Sequence, residues 1–159
     1  NRLRVVTADT QAEPLAFADV HFRLRGEGQA RRPKLHRFML AASKYQHVPI
    51  LDFPVKDAES IAEVLSTQTG AFYDQGIVKQ IYDENLTRAS VEEAIDQWRK
   101  ELVDARSDDL LVVFIAGHGL AFENKYYFVP VSTKGPEELP STGIGWDLLA
   151  KLADIGCKK

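Results

Sequence analysis

Between Asp108 and Pro130 the chain reads DDLLVVFIAGHGLAFENKYYFVP, and no other stretch constrains its folding as tightly. Two acids stop a preceding helix, and Leu110 to Ala116 then run apolar without a break. A run this short, rich in β-branched residues and bounded by turn signals, reads as a strand buried on both faces. Such strands occupy the middle of parallel sheets covered by helices. At its carboxyl end the run breaks into Gly117, His118 and Gly119, and open α/β sheets gather their chemistry just past the carboxyl ends of central strands. A histidine between two glycines has little side-chain cover and an adaptable backbone. It is placed to titrate near neutral pH and to exchange protons. The same three residues also read as a turn whose middle residue happens to be histidine.

The segments upstream alternate between strand and helix signals. Arg37 to Ser43 reads as the first core strand, nearly continuous through Phe38, Met39, Leu40, Ala41 and Ala42. Ser43 to Pro54 is a loop. Asp57 to Thr67 is a helix with Ala58, Ile61, Ala62, Val64 and Leu65 on one face. Ile77 to Tyr82 is a second strand. Ser90 to Ala105 is the clearest helix, with Ser90 and Glu93 in capping-box spacing and a stripe of Val91, Ala94, Ile95, Trp98 and Leu102. Downstream, Glu123-Asn124-Lys125 turns the chain between Leu120–Phe122 and Tyr126–Val129. Val131 to Thr142 is a loop, and Trp146 to Ile155 a helix with Trp146, Leu149, Ala150, Leu152 and Ala153 facing in, stopped by Gly156. This order predicts an α/β domain, a mostly parallel sheet with helices on both faces. The last helix lacks the following strand that would cover it, so the expectation is a chain truncated in mid-fold.

Residues 1–33 have a different character. Leu3 to Ala8 is a strand candidate, and Phe17 to Arg25 alternates with the period of two of a half-buried strand. Gly26 to Lys34, GEGQARRPK, has linker composition. The division expected is a β-rich segment plus linker over 1–33, the tail of a neighbouring β domain or an extension, followed by an α/β domain over 34–159. The chain begins at Asn1 rather than Met, which suggests that it was cut from a longer protein with further domains.

At 159 residues the chain is long enough for one ordinary domain with a real core. A net charge of −3 without a long basic block argues against a nucleic-acid partner. No apolar run approaches the length of a bilayer span, so no membrane partner is expected. The single cysteine excludes an internal disulfide and fits a reducing, cytoplasmic compartment. His36, His47 and His118 lack zinc-site spacing, and the acids after His118 (Glu123, then Glu137 and Glu138) are too few for calcium. Neither a metal nor another cofactor is expected. His21 reads as solvated on the polar face of its strand. Asp83, Glu84, Glu92 and Glu93 read as solvated charge, and GTGIG around Gly143 and Gly145 is a false match to a phosphate loop.

A buried apolar strand ending in GHG, followed by a return strand ending in YYFVP, resembles the caspase-like cysteine peptidases, the group that includes caspases, metacaspases, paracaspases and their bacterial relatives. MLAASKYQHVPILDFPVKDAESIAEVL resembles the first strand, loop and helix of that family, and the likeness covers roughly residues 34–159. It implies a caspase-like sandwich that here stops before the strand carrying the catalytic cysteine, typically Asp-x-Cys-x-Gly. It also implies a cysteine endopeptidase acting on peptide or protein substrates through a Cys-His dyad, with the rest of its own peptidase domain as partner. Carried over by motif, His118 is the catalytic histidine, and Gly119 supplies an oxyanion N–H, a donor worth about 3–4 kcal/mol of barrier in other enzymes. Asp57 resembles the acid of an Asn-Asp-Ala or Asn-Asp-Val motif that lines a pocket for a basic residue, although Lys56 stands in place of the Asn. Asp57 equally suits a helix N-cap. Ala116 replaces the serine that metacaspases keep two residues before the histidine, and Arg37 lies too early to match the specificity arginine of caspases.

Cys157 follows Gly156 directly after a helix, before the nucleophile-bearing strand would begin, and reads as a structural or surface cysteine that neighbouring lysines make reactive. The fragment alone is therefore expected to be inactive. The alternative is a catalytically dead relative kept as a scaffold or interaction module, and the residue at the nucleophile position would separate the two. A flavodoxin-like ligand-binding domain is a third reading, for which the loop from Ser43 to Pro54 is poor in glycine.

Overall fold

The computed structural model describes residues 2–8, 14–21 and 31–156, in the first two segments as backbone only. The chain separates into two compact units, Asn1–Arg31 and Arg32–Lys159. In the first, β1 (Arg2–Ala8) pairs antiparallel with β2 (Pro14–His21). The second strand thus begins before the alternating run from Phe17, and its continuation from Phe22 to Arg25 lies outside the described residues.

In the second unit β3 (Lys34–Ala41) is the central strand, flanked in parallel by β4 (Asp74–Tyr82) and β5 (Leu110–Ala116) in the order β4-β3-β5. Leu35 to Ala42 is buried without a break, so this is the strand covered on both faces. The expectation that Leu110–Ala116 is buried on both faces is not met among the described residues. Among the described residues β5 pairs only with β3, and Val113 is 40% exposed. An apolar run shows that a strand is covered somewhere, but it does not show on how many sides neighbours lie.

Successive β3 residues point to opposite faces. On one face Phe38 packs edge-on against Trp98 of α2 (Arg88–Glu101). On the other, α1 (Pro54–Ser66) covers β3 and β5, and Arg37 Nη1 donates to the Ala62 carbonyl at 2.8 Å. Helix α1 starts three residues earlier than its apolar pattern suggests, because Pro54 suits the first helical position, where its missing N–H costs nothing. Asp57 is consequently inside the helix and does not cap it. Val64 is 63% exposed, so the buried stripe narrows to Ala58 and Ala62, with Ile61 and Leu65 half-buried. In α2 the cap is Thr87, whose side chain accepts from Ser90 N–H while Ser90 reaches back to Thr87 N–H. A serine at the third helical position replaces Glu in the expected box and moves the start back. The stripe Val91, Ala94, Ile95, Trp98, Leu102 is buried as its spacing predicts.

After β5 the chain leaves the parallel sheet. Strands β6 (Gly119–Phe122) and β7 (Lys125–Phe128) form an antiparallel hairpin through Glu123 and Asn124, both at positive φ as a two-residue turn requires. A short helix, α3 (Leu139–Thr142), leads to β8 (Ile144–Gly145), which pairs with β7. The carboxyl-terminal helix α4 (Trp146–Ala150) tightens into a 3₁₀ turn, Lys151–Asp154, and buries Leu148, Leu149, Leu152 and Ile155. Trp146, Ala150 and Ala153, which periodicity places in the core, are exposed, Trp146 by 67%, and Leu148 and Ile155 are buried in their stead. Gly156 does not take the expected left-handed conformation.

The amino end of the sheet is held by buried polar groups. Asp109 Oδ1 accepts the Lys34 N–H at 2.7 Å and Oδ2 the Arg106 N–H at 3.0 Å, which ties the start of β3 to the turn before β5. Where β4 slips register against Leu35–Arg37, Gly76 runs so close to β3 that a Cβ would lie 2.3 Å from the Leu35 carbonyl oxygen. The Ile77 N–H donates to Nδ1 of buried His36 at 3.1 Å. Burial pushes the His36 pKa below its ordinary 6.5, reinforced by Lys34 and opposed by Asp109.

A depressed imidazole pKa means that the unfolded chain binds the extra proton more readily, so stability falls as pH drops below about 6.5. Urea unfolding between pH 8 and pH 5 is expected to show this acid-dependent loss, and His36→Gln to reduce it. Identical pH profiles for the two chains would contradict the assignment.

Candidate active site

The register of β3 against β5 sets Ala41 opposite Ala116, and the Ala42 N–H donates to the Ala116 carbonyl at 3.0 Å. Beyond that bond the two strands diverge, β3 into the loop 43–54 and β5 into Gly117-His118-Gly119. Tyr45 and His118 meet across the gap. The His118 N–H donates to the Tyr45 hydroxyl at 2.7 Å, and the two rings lie 4.6 Å apart at a tilt of 56°. Tyr45 is 5% exposed, and burial pushes its phenol up to about 12, so the hydroxyl stays protonated over the physiological range.

The His118 ring is gripped from the same loop. Its Nε2 lies 2.8 Å from the Pro49 carbonyl oxygen. A carbonyl only accepts, so in the neutral ring Nε2 carries the proton and Nδ1 keeps the lone pair. A half-buried imidazole held in this way can take a proton at Nδ1 and return it.

The glycines on either side answer to two tyrosines. Gly117 sits at φ 151°, and a Cβ there would lie 2.6 Å from the Tyr45 hydroxyl and 2.8 Å from Phe128. Gly119 lies beneath Tyr126, whose hydroxyl occupies the place a Cβ would take. The Val129 N–H donates to the His118 carbonyl at 2.9 Å, and Gly119 stands opposite Phe128 one step on. By the alternation of an antiparallel ladder, the Gly119 N–H then points away from β7.

Two clefts flank these residues. One is lined by Ile115, Gly117, Tyr126, Phe128, Trp146 and Leu149 among others, an apolar wall with Tyr126 and Trp146 exposed on it. The other lies under the loop 43–54, with Tyr45, Leu51, Asp52, Val55, Lys56 and Asp83 in its lining. Asp57 is exposed on the first turns of α1, next to Lys56 but not itself in that lining. The structure thus brings His118 and Gly119 together at the sheet edge and leaves Asp57 on the helix surface. Cys157 lies outside the described residues. Among the described residues no group of three or more His, Cys, Asp or Glu is placed to hold a metal, and no helix is long and apolar enough to cross a membrane.

Two residues of this site escaped the sequence reading. Tyr45 carried no signal beyond lying in the loop after the first strand. Asp83 reads from the sequence as solvated charge, yet it is 6% exposed and bonded to the backbone of the loop 43–54. Its position directly after a strand was the only cue, because its partners lie 40 residues away.

The two glycines differ in what surrounds them, and their substitution separates them. Gly117→Ala forces a left-handed backbone and a clash with buried Tyr45 and Phe128, a cost of about 1–3 kcal/mol. Gly119→Ala displaces only the exposed Tyr126 ring, and its melting temperature is expected within a few degrees of the parent, about the scale of a surface change. Thermal melts of both variants check this ordering.

No curated protein matches the chain. The sequence profile of the caspase domain, a peptidase family, matches residues 38–154, from the middle of β3 to the last turn of the described helices. That span takes in β3, the loop that carries Tyr45 and Pro49, the GHG turn and the hairpin after it. With the match covering well over half of its length, the chain belongs to the caspase-domain family of peptidases.

Proposed function

We propose that the chain supplies the histidine half of a cysteine endopeptidase site, with His118 as the proton-transfer residue and Gly119 as a donor to the oxyanion. The observation that carries this reading is the grip on the imidazole: Nε2–H held by the Pro49 carbonyl, and the backbone N–H held by Tyr45. In the neutral ring this leaves Nδ1 to take the proton of a thiol and pass it to the leaving amine. The Gly119 N–H faces away from its hairpin partner, as an oxyanion donor must.

The nucleophile comes from a further strand of the same domain, which pairs with β5. Support for this placement is the edge of β5, which has no second partner among the described residues and ends beside His118. Val113 is exposed along the strand, and the cleft at Gly117 is apolar, surfaces that a neighbouring strand would cover. The completed domain then has the two-sided α/β form of a caspase-like sandwich. Asp57 contributes a preference for Arg or Lys before the cut: its carboxylate is exposed and has no partner among the described residues, beside a cleft that already holds Asp52.

In a domain extended through that strand, His118→Ala is expected to lower kcat/KM by about 100-fold or more, the scale of losing a positioned acid–base group. Its melting temperature stays close to the parent, and the 159-residue chain without the strand turns over none of the same Arg-, Lys- or Asp-type peptides. Full activity of the variant removes His118 from the mechanism. Absence of any hydrolysis by the extended domain, with another residue in place of the cysteine, identifies a scaffold that has kept the fold without the chemistry.

Asp57→Ala in the same extended domain is expected to lower kcat/KM for Arg and Lys substrates by about tenfold, the loss of one charge-assisted contact, with little change for neutral ones. An unchanged ratio between basic and neutral substrates would take Asp57 out of the pocket.

A further inference from the structure

The loop that grips His118 is itself held from β4. Asp83, the residue after the end of that strand, is buried and sits at φ 48°, a left-handed conformation uncommon outside glycine, asparagine and aspartate. Its Oδ1 accepts the N–H groups of Ser43 at 2.7 Å and Lys44 at 3.0 Å, and Oδ2 lies 3.5 Å from Lys44 Nζ. These are the two residues immediately before Tyr45. The loop then closes on itself: the Ser43 carbonyl accepts from the N–H groups of Tyr45 at 3.1 Å and Leu51 at 3.0 Å, and Ser43 Oγ from Val55 N–H at 3.2 Å. Gln46 N–H donates to the Val131 carbonyl.

We propose that Asp83 and Tyr45 are positioning residues for His118. Asp83 sets the entry of the loop 43–54, and the loop delivers Tyr45 to the His118 N–H and the Pro49 carbonyl to its ring. The inference rests on the reading of His118 as the proton-transfer residue. It follows from how the hydrogen bonds connect. The ring tautomer depends on one carbonyl, that carbonyl lies on the loop 43–54, and the loop's first two amides are satisfied by one buried carboxylate. The Tyr45 hydroxyl is likewise placed for the site, since a phenylalanine would fill the same core volume without bonding His118. Gly117 has no Cβ to obstruct that hydroxyl, so the GHG turn and the tyrosine fit as one unit. The backbone of Asp83 is held in its uncommon conformation by the two bonds it makes, and that geometry places the carboxylate under the loop.

Nitrogen-resolved NMR of this chain reads both consequences without any substrate. In the parent, the His118 ring is expected in the Nε2–H tautomer, with a protected amide. Tyr45→Phe keeps the ring packing and removes the acceptor, so the His118 amide exchanges about tenfold faster while Met39 in β3 keeps its rate. Asp83→Gly removes the carboxylate at a position where glycine adopts the positive φ freely. It shifts the His118 ring toward a mixture of tautomers although the two residues do not touch. Asp83→Asn keeps an oxygen acceptor and tolerates the left-handed backbone, and it restores the parent pattern. An unchanged His118 amide rate in Tyr45→Phe overturns the role of Tyr45, and an unchanged tautomer in Asp83→Gly overturns that of Asp83. Because these signals are read in the absence of cleavage, their failure is distinct from a failure of the extended domain to hydrolyse peptides.

Discussion

Everything at the site depends on the pairing of β3 with β5. Parallel strands have no local turn to set their register; the register is set where side chains on both faces lock into the covering helices. Here the lock is β3, buried along its length, with Phe38 against Trp98 on one face and Arg37 bonded to the α1 backbone on the other. A slip of one residue would reverse every one of those contacts. With the slip excluded, Ala41 faces Ala116, and the loops that leave the two strands diverge at one level of the sheet. Tyr45 and His118, 73 positions apart in the chain, come into hydrogen-bond contact because each lies a few residues beyond that common level.

The two ends of the sheet are secured differently, and the difference bears on function. At the amino end the buried polar groups His36 and Asp109 tie strand to strand where no chemistry is read. Both Asp109 oxygens and His36 Nδ1 are paired there, which serves stability, since an unpaired buried polar group costs about 1–3 kcal/mol; His36 Nε2 is left without a hydrogen-bond partner. At the carboxyl end the buried groups Asp83 and Tyr45 bond mainly to loop backbone. A loop would ordinarily be among the more mobile parts of a domain. Five of its amides, those of Ser43, Lys44, Tyr45, Gln46 and Leu51, are occupied by Asp83, the Ser43 carbonyl and the Val131 carbonyl, besides the bond it makes to the histidine ring, so it behaves as part of the scaffold. An imidazole needs such support: proton transfer depends on which ring nitrogen is free, and only the partner of the other nitrogen decides that.

Family membership and geometry bear on different questions. The profile match assigns the caspase domain across β3 to the end of the described helices. It does not say how the histidine is held. The contacts of His118 with Tyr45 and Pro49 answer that, and they would hold an imidazole in the same way whether the complete protein cleaves peptides or only binds them.

What the sequence determined by itself was the set of elements whose signal is local. The apolar run Leu110–Ala116 is a strand with those bounds, the stripe from Val91 to Leu102 is buried, the turn expected at Glu123-Asn124-Lys125 falls on its first two residues with Lys125 already in β7, and the break at Gly117-His118-Gly119 marks where the parallel sheet ends. Each follows from periodicity or from backbone conformations that few residues adopt, properties carried by neighbouring residues. Only the tertiary structure decided which strand is covered on both faces among the described residues, since that burial depends on neighbours and is not a property of the run. It also decided that Asp83 is an internal ligand of a distant loop, that Trp146 at the start of α4 is exposed, and that Asp57 lies inside its helix after a proline start. The pairing of Tyr45 with His118 belongs to the same class: its cause is the register of two strands that α1, β4 and α2 separate in sequence, and no spacing within either segment encodes it.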